Sequence, residues 1–231
     1  MALFEAKNLT KLYGKKPALK DINLSIESGK IIGLCGPNGS GKTTLIKIAA
    51  GILTPSEGEI TIDGNPVGFQ TKAVVSYLPD KTYVPVTWKV NKILDFFQEF
   101  YLDFDRIAAM NMLGRLQIDQ NAQFKTLSKG TQEKVQLVLV MSRKAKLYIL
   151  DEPIGGVDPA ARDYILETII SNYNPESSVI ISTHLIADIE NTLDEVIFIK
   201  YGEQVLHDTV DGVREKYGKS VDEYFREVFR C

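Results

Sequence analysis

The stretch Gly36-Pro37-Asn38-Gly39-Ser40-Gly41-Lys42-Thr43-Thr44 decides how this chain folds. It follows the apolar run Ile31–Cys35 and precedes a segment of helical character, Thr44–Ala50, so it reads as a strand-to-helix turn. A GxxxxGK[ST] pattern in that position suits an anion. Glycines let the backbone wrap closely around a phosphate and aim N–H groups inward. The helix after the loop adds the partial positive charge of its N-terminus. Lys42 can then reach the β- and γ-phosphates of a nucleotide, and the Thr43 hydroxyl can hold Mg²⁺. A dinucleotide fingerprint fits less well, because Gly39-Ser40-Gly41 is followed by Lys42-Thr43-Thr44 rather than by a third glycine.

Two further apolar runs, Leu147–Leu150 and Val179–Ser182, are also too short for helices and also end on chemically loaded residues. Together the three runs predict a mostly parallel sheet whose ligand site lies beyond the carboxyl ends of its strands. The run at Leu147 ends in Asp151-Glu152. Adjacent carboxylates at the end of an apolar strand are costly unless a cation or a water network compensates them. On its own such a pair is usually an exposed loop. Beside a phosphate-binding loop, Asp151 can hold Mg²⁺ and Glu152 can polarise an attacking water. His184, directly after Thr183, is placed to touch the γ-phosphate and orient that water. The segment Leu127-Ser128-Lys129-Gly130-Thr131-Gln132 opens another helix with free N–H groups. By itself it is an ordinary N-cap; it becomes a second phosphate contact, through Ser128 and Gly130, if two chains share each nucleotide. The other histidine, His207, lies in a polar C-terminal segment and receives no role.

Outward from these motifs, Phe4–Asn8 and Ile60–Asp63 alternate in polarity and predict an antiparallel sheet at the side of the core. Between about Thr87 and Arg143 the period becomes helical. Ile93, Phe96, Phe97, Phe100, Tyr101 and Phe104 share one spacing, a second helix spans Ile107–Leu116, and a third starts at Ser128 as N-cap and runs toward Arg143. This block reads as a helical subdomain inserted between two core strands. Its aromatics, Trp88 through Phe104, build either the subdomain's own core or an exposed groove for a partner helix. Val221–Arg230 reads as a short amphipathic tail helix. Neither repeats nor linkers divide the 231 residues, so residues 1–231 are expected to form one domain, with a helical subdomain at about 87–143 and a tail at about 207–231.

Composition sets limits. Apolar residues make up 44% and charged residues 25%, and the formal net charge is −3, so nothing global favours nucleic acid as a partner. No stretch approaches the roughly 18 apolar residues of a membrane span, and the N-terminal residues lack the apolar core of a signal peptide. A role at a membrane would need other chains to do the spanning. Cys35 and Cys231 form no metal or redox pattern, which suits a reduced compartment. Cys35 directly precedes Gly36. Lys42 and inward N–H groups would favour its thiolate until nucleotide covers it, unless it is a buried packing residue.

In this order the motifs resemble the nucleotide-binding domain of the ABC superfamily over nearly the whole chain. Gly36–Thr44 resembles the Walker A motif, Leu147–Glu152 Walker B, Leu127–Thr131 the signature sequence, Ile154–Asp158 the D-loop, and His184 the switch histidine. The resemblance implies an α/β P-loop NTPase fold: a RecA-like core, an antiparallel side sheet and an inserted helical subdomain. It implies Mg²⁺-dependent ATP hydrolysis in a head-to-tail dimer, with Gly36, Pro37, Asn38, Gly39, Ser40, Gly41, Lys42, Thr43 and Thr44 around the phosphates and Tyr13 stacked on adenine. Ser128 and Gly130 would then contact the nucleotide of the other subunit. Two departures stand out. The signature is LSKGT, with Lys129 and Thr131 in place of glycine and glutamine, and Asp80 stands where the family's metal-binding glutamine is usual. With Tyr77-Leu-Pro-Asp80, these departures resemble the bacterial ABC-2-type branch that includes drug-resistance and acetoin-utilisation-operon ATPases. That implies an exporter's motor subunit on the cytoplasmic face of the membrane, working with polytopic membrane subunits. A soluble ABC ATPase acting on DNA or ribosomes is the alternative. It is disfavoured because the chain has neither heptads nor clustered cysteines and holds one such domain.

Overall fold

The computed structural model describes residues 2–155, 159–172, 174 and 176–230. Strands β1 (Phe4–Tyr13) and β2 (Lys16–Ile26) form a hairpin. After β3 (Ile31–Cys35) and helix α1 (Lys42–Ala49), β4 (Glu57–Ile62) and the short β5 (Asn65–Pro66) complete a four-stranded antiparallel sheet of order β2-β1-β4-β5. A single helical turn, α2 (Phe69–Lys72), leads to β6 (Val75–Leu78). Then come α3 (Val90–Phe100), α4 (Arg106–Arg115) and α5 (Lys129–Met141). The core resumes with β7 (Leu147–Asp151), α6 (Pro159–Asn172), β8 (Ser178–Thr183), β9 (Glu195–Lys200) and β10 (Glu203–Thr209). Helices α7 (Val210–Tyr217) and α8 (Val221–Val228) close the described chain. The second sheet is six-stranded, of order β10-β9-β3-β8-β7-β6, and parallel except for β10.

The side chains explain why this sheet is parallel. Every residue of β3, β7 and β8 is buried, so these strands bear apolar residues on both faces and need cover on both. The antiparallel sheet and α1 cover one face, through Phe4, Leu24, Ile32, Leu45, Ile46 and Ile149. Helices α5, α6 and the C-terminal pair cover the other, through Leu137, Tyr148, Ile165, Ile181 and Phe198. The helical insert between β6 and β7 has its own core of Val90, Ile93, Phe97, Phe104, Leu113, Phe124 and Val138. The α/β fold class, the side sheet and the helical insert therefore agree with the sequence reading.

Several details differ. The first helix begins at Lys42, not Thr44, which puts Lys42 and Thr43 in its first turn. Helix α3 stops at Phe100, and Tyr101 is already extended. Phe104 keeps the apparent helical spacing only because the turn before α4 folds it back into the same core. The aromatic segment splits: Phe97 and Phe104 are buried, whereas Phe96 and Phe100 face outward. The polar segment holding His207 is in fact strand β10, where His207 Nε2 lies 3.0 Å from Glu195 Oε2 on β9.

Two pieces of the fold lock the insert onto the core. The Arg143 guanidinium, only 5% exposed, bonds Asp103 at 3.1 Å and the carbonyls of Val75 and Ala73 at 2.7 and 2.9 Å, and stacks 4.0 Å from the Tyr101 ring. A buried guanidinium is tolerable because these acceptors replace its water. In α5, Gln136 accepts the Tyr83 N–H at 3.2 Å, which ties the third helix to the loop after β6.

Candidate functional site

Strand register builds the site. Cys35 pairs with Thr183 and Asp151 with Ser182, so the carboxyl ends of β3, β7 and β8 finish level with one another. That brings the loop after Cys35, the carboxylates after Leu150 and the histidine after Thr183 to one edge of the sheet.

The loop after β3 requires its glycines. A Cβ on Gly36 would meet the Ile199 carbonyl and the Ser40 hydroxyl, each at 2.5 Å. Gly41 has φ +118, and a Cβ there would lie 2.7 Å from the Ala18 carbonyl. Packed this way, the loop encloses the Lys42 ammonium, which is only 5% exposed and donates to the carbonyls of Gly36 at 2.7 Å and Pro37 at 3.3 Å. Asn38 and Gly39 lie on the outer turn of the loop, Gly39 with φ +80 and open space where a Cβ would sit.

Lys42 is joined by the residues from the other strands. Its Nζ lies 3.6 Å from Glu152 Oε1, and Glu152 Oε2 lies 3.0 Å from His184 Nδ1. Thr43 Oγ1 donates to Asp151 Oδ1 at 3.4 Å, and Ser182 Oγ donates to the same oxygen at 2.7 Å. Ser182 Oγ also accepts the Glu152 N–H at 2.9 Å. Glu152 itself adopts φ +53, a left-handed conformation that costs a non-glycine residue about 1–3 kcal/mol and clusters at functional sites. The strain turns the side chain out of the strand and toward Lys42 and His184.

Among the described residues, three polar atoms of this edge are buried without a hydrogen-bond partner: Ser40 Oγ, Asp151 Oδ2 and Glu152 Oε1. Burial pushes the Asp151 carboxyl above the usual range; hydrogen bonds from Ser182 and Thr43 oppose the shift, and the nearby Asp80 and Glu152 charges add to it. Buried oxygens left without donors are what a cation or a phosphate-bound water would satisfy. A hydroxyl and a carboxylate oxygen are hard donors that fit Mg²⁺. Among the described residues no group of three or more His, Cys, Asp and Glu could hold a metal, so the nucleotide's own oxygens would complete the shell.

Asp80 stands just beyond β6, exposed, on the lip of a cleft of about 340 Å³ lined also by Lys129, Gln132, Glu133, Asp151 and Glu152. On its other side it borders a groove of about 580 Å³, lined by Ile52, Tyr77, Tyr83, Tyr101, Lys47 and Arg143. Asp80 acts electrostatically on both Asp151 and the Tyr77 hydroxyl, which itself has no hydrogen-bond partner.

Other candidates lie apart from Lys42. Tyr13 ends β1 and is 52% exposed, open to a stacking partner. Ser128 caps α5, accepting the Thr131 N–H at 3.2 Å, while Gly130 has open space on its free side. Ser128 is exposed, while Lys129, Gln132 and Glu133 of the same helix start line the cleft that Asp151 and Glu152 border. Of the expected D-loop, Gly156, Val157 and Asp158 lie outside the described residues.

Of the two readings of Cys35, the structure favours the packing residue. Cys35 is fully buried between strands, and burial pushes its thiol well above the ordinary range, against the opposing effect of Lys42. Desolvation outweighs the single nearby cation. With Cys231 replaced by serine, the native protein should take up no alkylating reagent at Cys35, with or without Mg-ATP. Intact-mass analysis checks this, and an adduct formed only without nucleotide would contradict it.

Sequence reasoning missed Ser182. Ser182 fixes Asp151 and Glu152 together, yet in sequence it is one more small residue in an apolar run. Its only signal was its place two residues before His184.

Known proteins resemble this chain over most of its length. Residues 19–155 match the family described as ABC transporter. The chain is similar to the linearmycin resistance ATP-binding protein LnrL of Bacillus subtilis, 30% identical over 88% of this chain and 68% of that protein. It is likewise similar to the Nod factor export ATP-binding protein I of Cupriavidus pinatubonensis, 28% identical over 96% of this chain and 73% of that one. Among solved structures, an ATP-binding subunit of an ABC transporter superposes with a TM-score of 0.88 at 27% identity, covering 99% of this chain and 100% of the other. With its phosphate loop, paired carboxylates and histidine gathered at one sheet edge, this chain belongs to the ABC transporter family and is one of its ATP-binding, ATP-hydrolysing subunits.

Proposed function

We propose that the chain is the motor of an exporter, bound to the cytoplasmic face of the membrane through separate polytopic subunits, with all 231 residues forming one nucleotide-binding domain. The observation that carries the catalytic part is the pair of partnerless buried oxygens, Asp151 Oδ2 and Glu152 Oε1, beside Lys42. The reaction is in-line attack of water on the γ-phosphorus. A P–O bond forms, the bond to the β–γ bridging oxygen breaks, and ADP and phosphate leave. Glu152 orients the water and takes its proton. His184, held by the other Glu152 oxygen, donates toward the γ-phosphate, and Lys42 stabilises the charge there. Thr43, Asp151 and Asp80 would hold Mg²⁺, which when bound neutralises charge on the β- and γ-phosphates. Tyr13 stacks on adenine. Ser128 and Gly130 close over the γ-phosphate held by a second copy or a similar subunit, in a head-to-tail dimer.

The coupling part rests on the groove between the insert and the core. Its walls are aromatic and aliphatic, Lys47, Lys72 and Lys81 also line it, and Asp80 belongs to both this groove and the catalytic cleft. A short amphipathic helix of a membrane subunit fits such a groove. Its docking would press on the segment that carries Asp80. The resemblance of the Asp80 and signature variants to exporter ATPases supports the direction of transport.

Co-expression with a polytopic membrane protein, where one is found encoded beside this chain, tests the reading. A detergent-stable complex with ATPase activity is expected, and Ile52→Glu, at an exposed groove residue, should break the complex while sparing ATP affinity. Failure of the wild-type chain to associate would count against the transporter assignment.

A further inference from the structure

The segment after His184 is held from three sides. Leu185 N–H donates to Thr183 Oγ1 at 2.9 Å, which turns the chain immediately after the histidine. Two 3₁₀ turns come next, Ile186–Asp188 and Glu190–Thr192. Ile186 and Ile189 are buried in one apolar cluster with Val210, Val213 and Val221 of the C-terminal helices. Asp188 accepts a hydrogen bond from Arg162 Nη1 of α6 at 2.6 Å. Asp194 accepts the Ile31 N–H of β3 at 2.7 Å through its carboxylate, and its carbonyl accepts the Val210 N–H at 3.0 Å.

Glu190 is the most committed of these groups. Its side chain is 11% exposed. Oε1 accepts Arg214 Nη2 of α7 at 3.2 Å, and Oε2 accepts the Asp222 N–H in the first turn of α8 at 3.0 Å. Both oxygens of a nearly buried carboxylate are thus spent on the C-terminal pair, one on each helix. A carboxylate is placed so deep only where its partners are fixed. The first turn of α8 is a good anchor, since its N–H groups have no intrahelical acceptor.

We infer that Glu190, with Arg214 as its partner, is a positioning residue for hydrolysis: it pins α7 and α8 against the 185–192 segment and so fixes the His184 ring against Glu152 and the γ-phosphate. The inference rests on the role assigned to His184 above. The His184 side chain is 45% exposed, and its tie within the site is the 3.0 Å contact with Glu152. The backbone of residues 185–192 therefore aims it, and the C-terminal helices clamp that backbone. The hydrogen bonds that hold Lys42 and Thr43 involve neither helix, so loosening the pair should leave nucleotide affinity alone and lower the rate of the chemical step.

The test uses the full chain in steady-state phosphate release. Arg214→Ala, at a side chain 44% exposed, is expected to lower kcat by about tenfold while KM for ATP stays within about twofold. Glu190→Gln keeps the shape and can still accept one of the two bonds, so it should fall by less. In a His184→Ala background neither substitution should lower kcat further, because the group they position is gone. An unchanged kcat for Arg214→Ala would overturn the inference, as would a loss of the same size in the His184→Ala background. His184→Ala by itself separates the two readings: if it leaves turnover intact, the role of His184 fails, and if it abolishes turnover while Arg214→Ala does nothing, only the positioning role fails.

Discussion

Replacing Glu152 by glutamine lowers ATP turnover by about a hundredfold or more and leaves ATP affinity unchanged. The reason is geometric. Glu152 is turned out of its strand at φ +53, with one carboxylate oxygen 3.0 Å from His184 Nδ1 and the other buried without a hydrogen-bond partner, 3.6 Å from Lys42 Nζ. The amide keeps the volume, the backbone bonds to Ser182 and one acceptor oxygen. It loses the negative charge and cannot take a proton from water. In the proposed site the nucleotide is held by the loop around Lys42 and by Thr43; the amide keeps that loop's own hydrogen bonds and removes only the negative charge 3.6 Å from Lys42 Nζ. Steady-state phosphate release and titration with a fluorescent ATP analogue measure the two quantities separately. Turnover above about a tenth of the unmodified level would remove Glu152 from the base role, since general-base loss costs at least ~10²-fold. The substituted protein should also accumulate as an ATP-bound dimer, because in the proposed cycle closure precedes hydrolysis.

That dimer is the background for the second expected result: Ser128→Arg abolishes ATP-induced association and, with it, hydrolysis. Ser128 is exposed at the start of α5, where its hydroxyl caps the helix, and in the proposed head-to-tail dimer it meets the phosphate held by the other subunit. An arginine there adds bulk and charge at the interface while Lys42, Tyr13 and the phosphate loop keep their positions. Monomer affinity for ATP should therefore hold. The lost cap costs about 1 kcal/mol, so thermal stability should fall slightly, and a collapse would signal misfolding instead. Light scattering with ATP on the Glu152→Gln background reads the association. A dimer of unreduced amount would take Ser128 and Gly130 out of the nucleotide site.

Much of the candidate site at this sheet edge was legible in the sequence because its chemistry is local. Gly36–Thr44 carries its loop, its lysine and its helix start within nine residues, and no distant contact is needed to see what such a loop can bind. Asp151-Glu152 and His184 were legible for a related reason: each comes after a short run apolar on both faces, and a parallel sheet must bring such strand ends together. The helical insert was visible from its period, apart from Phe104, whose spacing continued across a turn that the period alone could not reveal.

What the sequence could not decide is what distant segments do to one another. Cys35 reads as a thiol beside a lysine, and only the packing of β3 between β8 and β9 shows that desolvation outweighs that charge. Ser182 looks like filler until strand register sets it against Asp151. The stretches 16–26 and 203–209 hid their strands, because edge and side-sheet strands alternate with charged residues and draw their stability from neighbours far along the chain. Glu190 is the extreme case: a plain acidic residue in sequence, its meaning lies in an arginine 24 residues away and a backbone N–H 32 residues away. Local spacing by itself determined which groups can do chemistry here. Tertiary structure alone decided which of them are desolvated, paired and aimed, because burial and pairing are properties of the folded neighbourhood and not of the residue.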